Sequence, residues 1–149
     1  MKLDKELIVL NLEASSKEEV LEVLGNLLTE HGVVKEGFIE SVLQREKEFP
    51  TGLPTEPFGV AIPHTDGDMV HDSKIAFASL KNPVKFAAMG GSAELVDVKI
   101  VFMLALNSSQ GQLDMLQKLV GLFQDPGTVE QLTAVSDADQ LNRLLESKT

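Results

Sequence analysis

Cysteine, tryptophan and tyrosine are absent from the 149 residues. Without cysteine there is no disulfide, no thiolate nucleophile and no Cys-based zinc or iron–sulfur site, a usage compatible with a reducing cytosol. The seven phenylalanines fall at core-like positions, which leaves no aromatic platform for stacking nucleic-acid bases. Positive charge is also scarce. Thirteen Lys and Arg against 23 Asp and Glu leave a formal net charge of −10, which repels phosphate backbones and anionic lipid, so nucleic acid is not an expected partner. The longest strongly apolar run, Ile100 to Leu106, has seven residues, against about 20 for a bilayer span. The N-terminal MKLDKELIVLNLEASS breaks its apolar stretch with acids and lacks a signal-peptide hydrophobic region, so the expectation is a cytoplasmic protein.

What is present suits a globular domain. Hydrophobic residues make up 43% and charged residues 24%, without the polar excess of disordered chains. The length favours one domain, residues 1–149, with no internal repeat. Glu6 to Glu13 reads as a strand. Ser16 with Glu19 forms a capping-box pattern ahead of an apolar stripe from Val20 to Leu28, and Gly32 supplies a left-handed stop. A second helix is expected from about Lys35 to Glu48, ended by Pro50, and PTGLPTEPFG reads as a turn-rich loop. Strands are expected at Phe58–Ile62, Lys74–Leu80, Val84–Phe86 and Val96–Leu106. The last is continuous enough to be central and covered on both faces. Gln112 to Phe123 returns to helical spacing. Asp125-Pro126 opens another helix, and Ser136 or Asp137 caps a terminal one. Helices at both ends of a run of strands with hairpin-length connections predict an α/β layered domain, a central mixed β-sheet flanked by helices.

Two of the three histidines lie in one stretch, His64-Thr-Asp66-Gly-Asp68-Met-Val-His71-Asp72. His64 follows an apolar strand and Pro63, so its backbone is held while its ring stays reachable. The bland reading of such a residue is a histidine hydrogen-bonded to loop backbone. The stretch also contains ligand types suited to a metal, but it has no His-Glu-x-x-His helix, and a metal-dependent hydrolase is the weaker reading. His71 reads as a surface residue, and His31 as a favourable partner of a helix C-terminus.

Arg45-Glu46, Pro50-Thr51-Gly52-Leu53, Val60-Ala-Ile-Pro-His64-Thr65, Pro83-Val84-x-Phe86 to Met89-Gly90, Val101-Phe102-Met103-Leu104-Ala105 and Gln112-Leu113-x-x-Leu116-x-x-Leu119 together resemble the fructose/mannitol type of enzyme IIA of the bacterial phosphoenolpyruvate-dependent sugar phosphotransferase system. The resemblance covers nearly the whole chain. Glu48-Phe49-Pro50-Thr51-Gly52-Leu53 and Ser109-Gln110-Gly111-Gln112-Leu113 are similar in particular to galactitol-type members.

The resemblance implies a phosphotransferase component in which His64 accepts a phosphoryl group from the histidine-containing phosphocarrier protein and passes it to a cysteine of enzyme IIB. The system's sugar would be galactitol or a related polyol, and the membrane would be met only through the IIC component. Imidazole chemistry agrees with this: a neutral ring nitrogen is both an adequate nucleophile and a good leaving group, and no metal or soluble cofactor is called for. The resemblance places Arg45 beside the histidine, where a guanidinium can hold phosphate oxygens by two parallel hydrogen bonds; the alternative is a solvated residue on the last helical turn. Glu46 reads as a surface or ion-pairing residue. Mannitol-type members carry a second histidine after the central strand, and here Gln112 or Gln110 stands there. Gln112 could donate an amide hydrogen bond to the phosphoryl group or to His64, and it opens the following helix, whose amides favour phosphate. Thr65 could offer a hydroxyl or a backbone donor. Phe49, Leu53 and Phe58 are the expected apolar rim for partner proteins. The competing reading within the same fold is a regulatory protein whose phosphorylation switches partner binding.

Overall fold

The computed structural model describes residues 1–149. Its elements, in chain order, are β1 (Ile8–Leu12), α1 (Lys17–Glu30), α2 (Phe38–Glu48), β2 (Gly52–Leu53), β3 (Gly59–Ala61), β4 (Lys74–Ala87), β5 (Leu95–Ala105), α3 (Ser109–Leu122), α4 (Pro126–Ala134) and α5 (Ala138–Lys148). The strands form one sheet in the order β1-β4-β5-β3-β2. The β1–β4 and β5–β3 pairs are parallel, while β4–β5 and β3–β2 are antiparallel. The expected mixed sheet is therefore present, with helices on both faces.

Alternation along β5 shows how two cores arise. Val101, Met103 and Ala105 join the core under α1 and α2. Ile100, Phe102 and Leu104 join the core under α3, α4 and α5, because successive strand side chains point to opposite faces. All six are buried, as the near-continuous apolar run predicts for a strand covered on both sides. Phe102 packs edge-on against Phe77 and tilted against Phe123, with ring centroids 5.1 and 5.4 Å apart, which ties sheet to helical layer.

Local signals in the sequence largely place the helix ends. Ser16 Oγ accepts from the Glu19 amide, and Gly32 adopts φ +69° after α1. The reciprocal arm of the expected capping box goes instead to Ser15, whose amide and hydroxyl both donate to Glu19. Asp125 caps α4, and of the two candidates at α5 it is Asp137 that accepts from the Gln140 amide.

Four expectations are corrected. Lys5–Leu7 forms a 3₁₀ turn, so the first strand begins at Ile8. The second helix begins at Phe38, not Lys35, because Val34 bridges Val70 and the Lys35 amide donates to the Met69 carbonyl, holding that segment extended up to a left-handed Gly37. The turn-rich loop contains β2, a short antiparallel partner of β3. The strands expected at Lys74–Leu80 and Val84–Phe86 are one strand, β4, whose register against β5 shifts between Ser79 and Val84. The intervening Lys81, Asn82 and Pro83 are exposed, so a proline without an N–H is tolerated at this bulge.

Candidate active site

Strands β3 and β5 are parallel neighbours, so the loops that follow them leave the sheet side by side. The pairing continues past β3: the Leu104 amide donates to the Pro63 carbonyl at 2.9 Å, and His64 itself bridges to Leu104. The His64 backbone is thereby fixed to the central strand. Its ring lines an open cleft of about 480 Å³, together with Arg45, Asp66, Asp68, Asn107, Ser109 and other residues of the two loops and α3.

The His64 ring is half-buried, and its Nδ1 lies 2.9 Å from the Ile62 carbonyl oxygen. A carbonyl can only accept, so Nδ1 carries the hydrogen and Nε2 is left with a free lone pair. Burial pushes the His64 pKa below its ordinary value, and the Arg45 charge pushes the same way. The Ile62 hydrogen bond and Asp66 act in the opposite sense. The ring is therefore neutral at pH 7.

Arg45, in the last turn of α2, reaches the same cleft. No carboxylate lies within 4 Å of its guanidinium, and its Nε is buried without a hydrogen-bond partner. The guanidinium carbon stands 5.2 Å from the Phe49 ring centroid, a cation–π contact that steadies the charge without neutralising it. Arg45 is half-buried, and a guanidinium so placed commonly ends on an anion.

The contacts of four other residues bear on the roles expected of them. Gln112 is buried and its amide nitrogen donates to the Thr65 carbonyl at 2.9 Å and to the Leu106 carbonyl at 3.3 Å. Both N–H bonds are thus used to tie the two loops together, and none remains for an anion or for His64. Gln110 is exposed and bonds Asp114 instead. Thr65 lines the cleft, and its hydroxyl pairs with the Ser41 hydroxyl of α2. Glu46, expected as a surface or ion-pairing residue, is 3% exposed and accepts two hydrogen bonds from Thr51. Burial pushes its pKa up, against those two bonds.

The helix after the central strand starts at Ser109, capped by Ser108, so Gln112 stands one turn inside it rather than at its opening. It is Ser109 whose position at the helix start brings the positive end of the dipole to the cleft. Of the expected rim, Phe49 is 60% exposed beside Arg45. Leu53 and Phe58 line other depressions, and Phe58 lies under Lys99. Leu113 and Leu116 supply the apolar border instead. Their helical spacing had marked them only as core. The His64–Asp72 stretch gathers no three metal-ligating side chains, and His71 and Asp72 stay exposed outside the cleft.

The mixed five-stranded sheet with its flanking helices is the fold of the mannitol/fructose-type enzymes IIA, a class of phosphotransferase component. The complex of enzyme IIA and phosphorylated enzyme IIB of the mannitol system from Escherichia coli contains a chain similar in structure, with TM-score 0.79, 25% identity and coverage of 98% of each chain. The family model for the phosphoenolpyruvate-dependent sugar phosphotransferase system, EIIA 2, matches residues 1–148, and the chain belongs to that family. The galactitol-specific EIIA component of Escherichia coli is 33% identical over 121 residues, 81% of this chain and 80% of that protein. The nitrogen regulatory protein IIA-Ntr from Neisseria meningitidis is 30% identical, with TM-score 0.75 over 96% of this chain and 95% of that one. The chain is thus a IIA component of a sugar or polyol phosphotransferase system. No helix is long and apolar enough to cross a membrane.

Proposed function

We propose that residues 1–149 act as one unit that accepts a phosphoryl group on His64 Nε2 from the histidine-containing phosphocarrier protein. The group then passes to a cysteine of an enzyme IIB in a galactitol or related polyol system. The supporting observation is the pairing of a neutral imidazole, its Nδ1–H held by the Ile62 carbonyl, with an Arg45 guanidinium that has no anion. In the first step the Nε2 lone pair forms a bond to phosphorus while the phosphorus–nitrogen bond of the donor breaks, and the donor nitrogen keeps that electron pair. The His64 ring gains positive charge and retains its Nδ1 proton, which the Ile62 carbonyl stabilises. Arg45 and the start of α3 offset the charge on the phosphoryl oxygens. In the second step a cysteine thiolate attacks phosphorus and the bond to Nε2 breaks, restoring the neutral ring. Imidazole and guanidinium supply the chemistry, with neither metal nor soluble cofactor.

Phe49, Leu113 and Leu116 form the apolar border that two partner proteins cover in turn. The acidic surface suits a basic face on a partner and raises encounter rates more than lifetime. In this reading the protein works in the cytoplasm and meets the membrane only through the IIC component of the system. The 30% identity to a nitrogen regulatory IIA favours a second reading, in which phosphorylation switches partner binding.

Incubation with phosphoenolpyruvate, enzyme I and the phosphocarrier tests these readings. An acid-labile phosphoryl group on the wild type, absent from His64→Ala and delivered to a galactitol-type enzyme IIB, is the expected result. Label without onward transfer selects the regulatory reading, and labelling of His64→Ala at the wild-type rate rejects the site.

A further inference from the structure

Glu46 and Thr51 take no part in the phosphoryl chemistry above, yet both are buried and polar, and their hydrogen bonds lead to His64. Glu46 Oε2 accepts from the Thr51 amide at 2.9 Å, and Oε1 accepts from the Thr51 hydroxyl at 2.9 Å. Because that hydroxyl spends its proton on Glu46, its oxygen faces the Ile62 amide as an acceptor, at 3.2 Å. The Thr51 carbonyl takes a share of the same N–H at 3.4 Å. The carbonyl of Ile62 then receives the His64 Nδ1 hydrogen at 2.9 Å. Every member of this chain except His64 is at least 96% buried, so water cannot substitute for a missing partner.

We propose that Glu46 is a positioning residue which, through Thr51, holds the Ile62 main chain so that His64 stays in its Nδ1–H tautomer with Nε2 unprotonated. A neutral imidazole in water prefers to carry its hydrogen on Nε2, the nitrogen that must attack. Holding the other tautomer therefore keeps the nucleophilic lone pair in the cleft before any donor arrives. Direction is set by the carboxylate. An acceptor-only group at the far end forces the threonine hydroxyl to point one way, and the chain ends on a carbonyl that can only accept. An amide in place of the carboxylate offers N–H to the Thr51 oxygen and turns that hydroxyl around. The proposal rests on the reading that His64 Nε2 takes the phosphoryl group, although the tautomer itself is measurable without any transfer.

The test is ¹⁵N NMR of the histidine rings in the full chain, for wild type, Glu46→Gln, Thr51→Val and Thr51→Ser, with the initial rate of phosphoryl uptake measured in parallel. In the wild type, His64 Nδ1 should show the shift of a protonated nitrogen and Nε2 that of an unprotonated one. In Thr51→Val and Glu46→Gln the Nε2–H tautomer should grow to a comparable population and uptake should slow about twofold, in proportion to the competent fraction lost. Thr51→Ser, which keeps the hydroxyl, should restore both. An unchanged tautomer in folded Thr51→Val overturns the proposal, whether or not Glu46→Gln folds. So does a wild type already in the Nε2–H form. A wild type with the expected tautomer that is never labelled at His64 ends the phosphocarrier reading instead, which separates the two failures.

Discussion

At the scale of single residues, phosphoryl uptake depends on the charge states of His64 and Arg45. Burial and the Arg45 charge both disfavour the imidazolium, so phosphoryl uptake should stay level as pH falls through the ordinary histidine value near 6.5 and decline only below it. Arg45→Gln should move that acid limb toward neutral pH, because the repelling charge is gone, and should lower the uptake rate about 100-fold through loss of phosphate stabilisation. An NMR titration of His64 alongside a pH–rate profile checks both; an unmoved limb contradicts the electrostatic coupling. The same depression contributes to folding stability above about pH 6.5 and is lost as pH falls through the lower folded value. Glu46 acts in the opposite sense. Its raised pKa gives a contribution that is full below the ordinary carboxylate value and lost as pH rises through the folded one. The sequence marked His64 because a strand, a proline and a histidine stand in a row. It did not mark Glu46, since an acid at a helix end normally stays in water and only the turn that brings Thr51 back onto it makes its burial tolerable. The pairing of Arg45 with His64, 19 positions apart, was visible through family resemblance and not through spacing.

At the scale of elements, the site is a junction between the loops after β3 and β5, closed by α2 and α3. Gln112 is the clamp between those loops, with both N–H bonds on backbone carbonyls. Gln112→Leu keeps the bulk but leaves the Thr65 and Leu106 carbonyls short of a donor. It should cost about 1–3 kcal/mol in urea unfolding and speed amide exchange in residues 62–69 and 106–109. A variant as stable and as protected as wild type would show that the clamp is dispensable. The elements legible from sequence were those carried by short-range chemistry: the stripe and cap of α1, the Asp125-Pro126 start of α4, and the apolar run of β5. The fusion of two expected strands into β4 was not legible. Lys81-Asn82-Pro83 reads locally as a turn, and only pairing with β5 on both sides of the bulge makes it strand. The start of α3 was missed for a similar reason, because Ser108 caps a first turn with no apolar residue to announce it.

At the scale of the whole molecule, two cores clamp one sheet and leave its cleft-bearing end open. Phe102 belongs to the core under α3–α5 and touches both Phe77 and Phe123. Phe102→Ala should cost about 3–5 kcal/mol in chemical unfolding, by lost burial and the cavity left behind. A loss below 1 kcal/mol would mean that the layer collapses onto the gap more freely than close packing allows. The rigid sheet matters to function because it carries the histidine backbone, and the chemistry then depends on which ring nitrogen faces the incoming phosphorus. The most direct measurement is therefore the site and nitrogen of attachment in protein phosphorylated through the phosphocarrier, read by mass spectrometry and by ³¹P–¹⁵N coupling. A single phosphoryl group on Nε2 of His64 is the expected result. Attachment at Nδ1, or at any other residue, would contradict it.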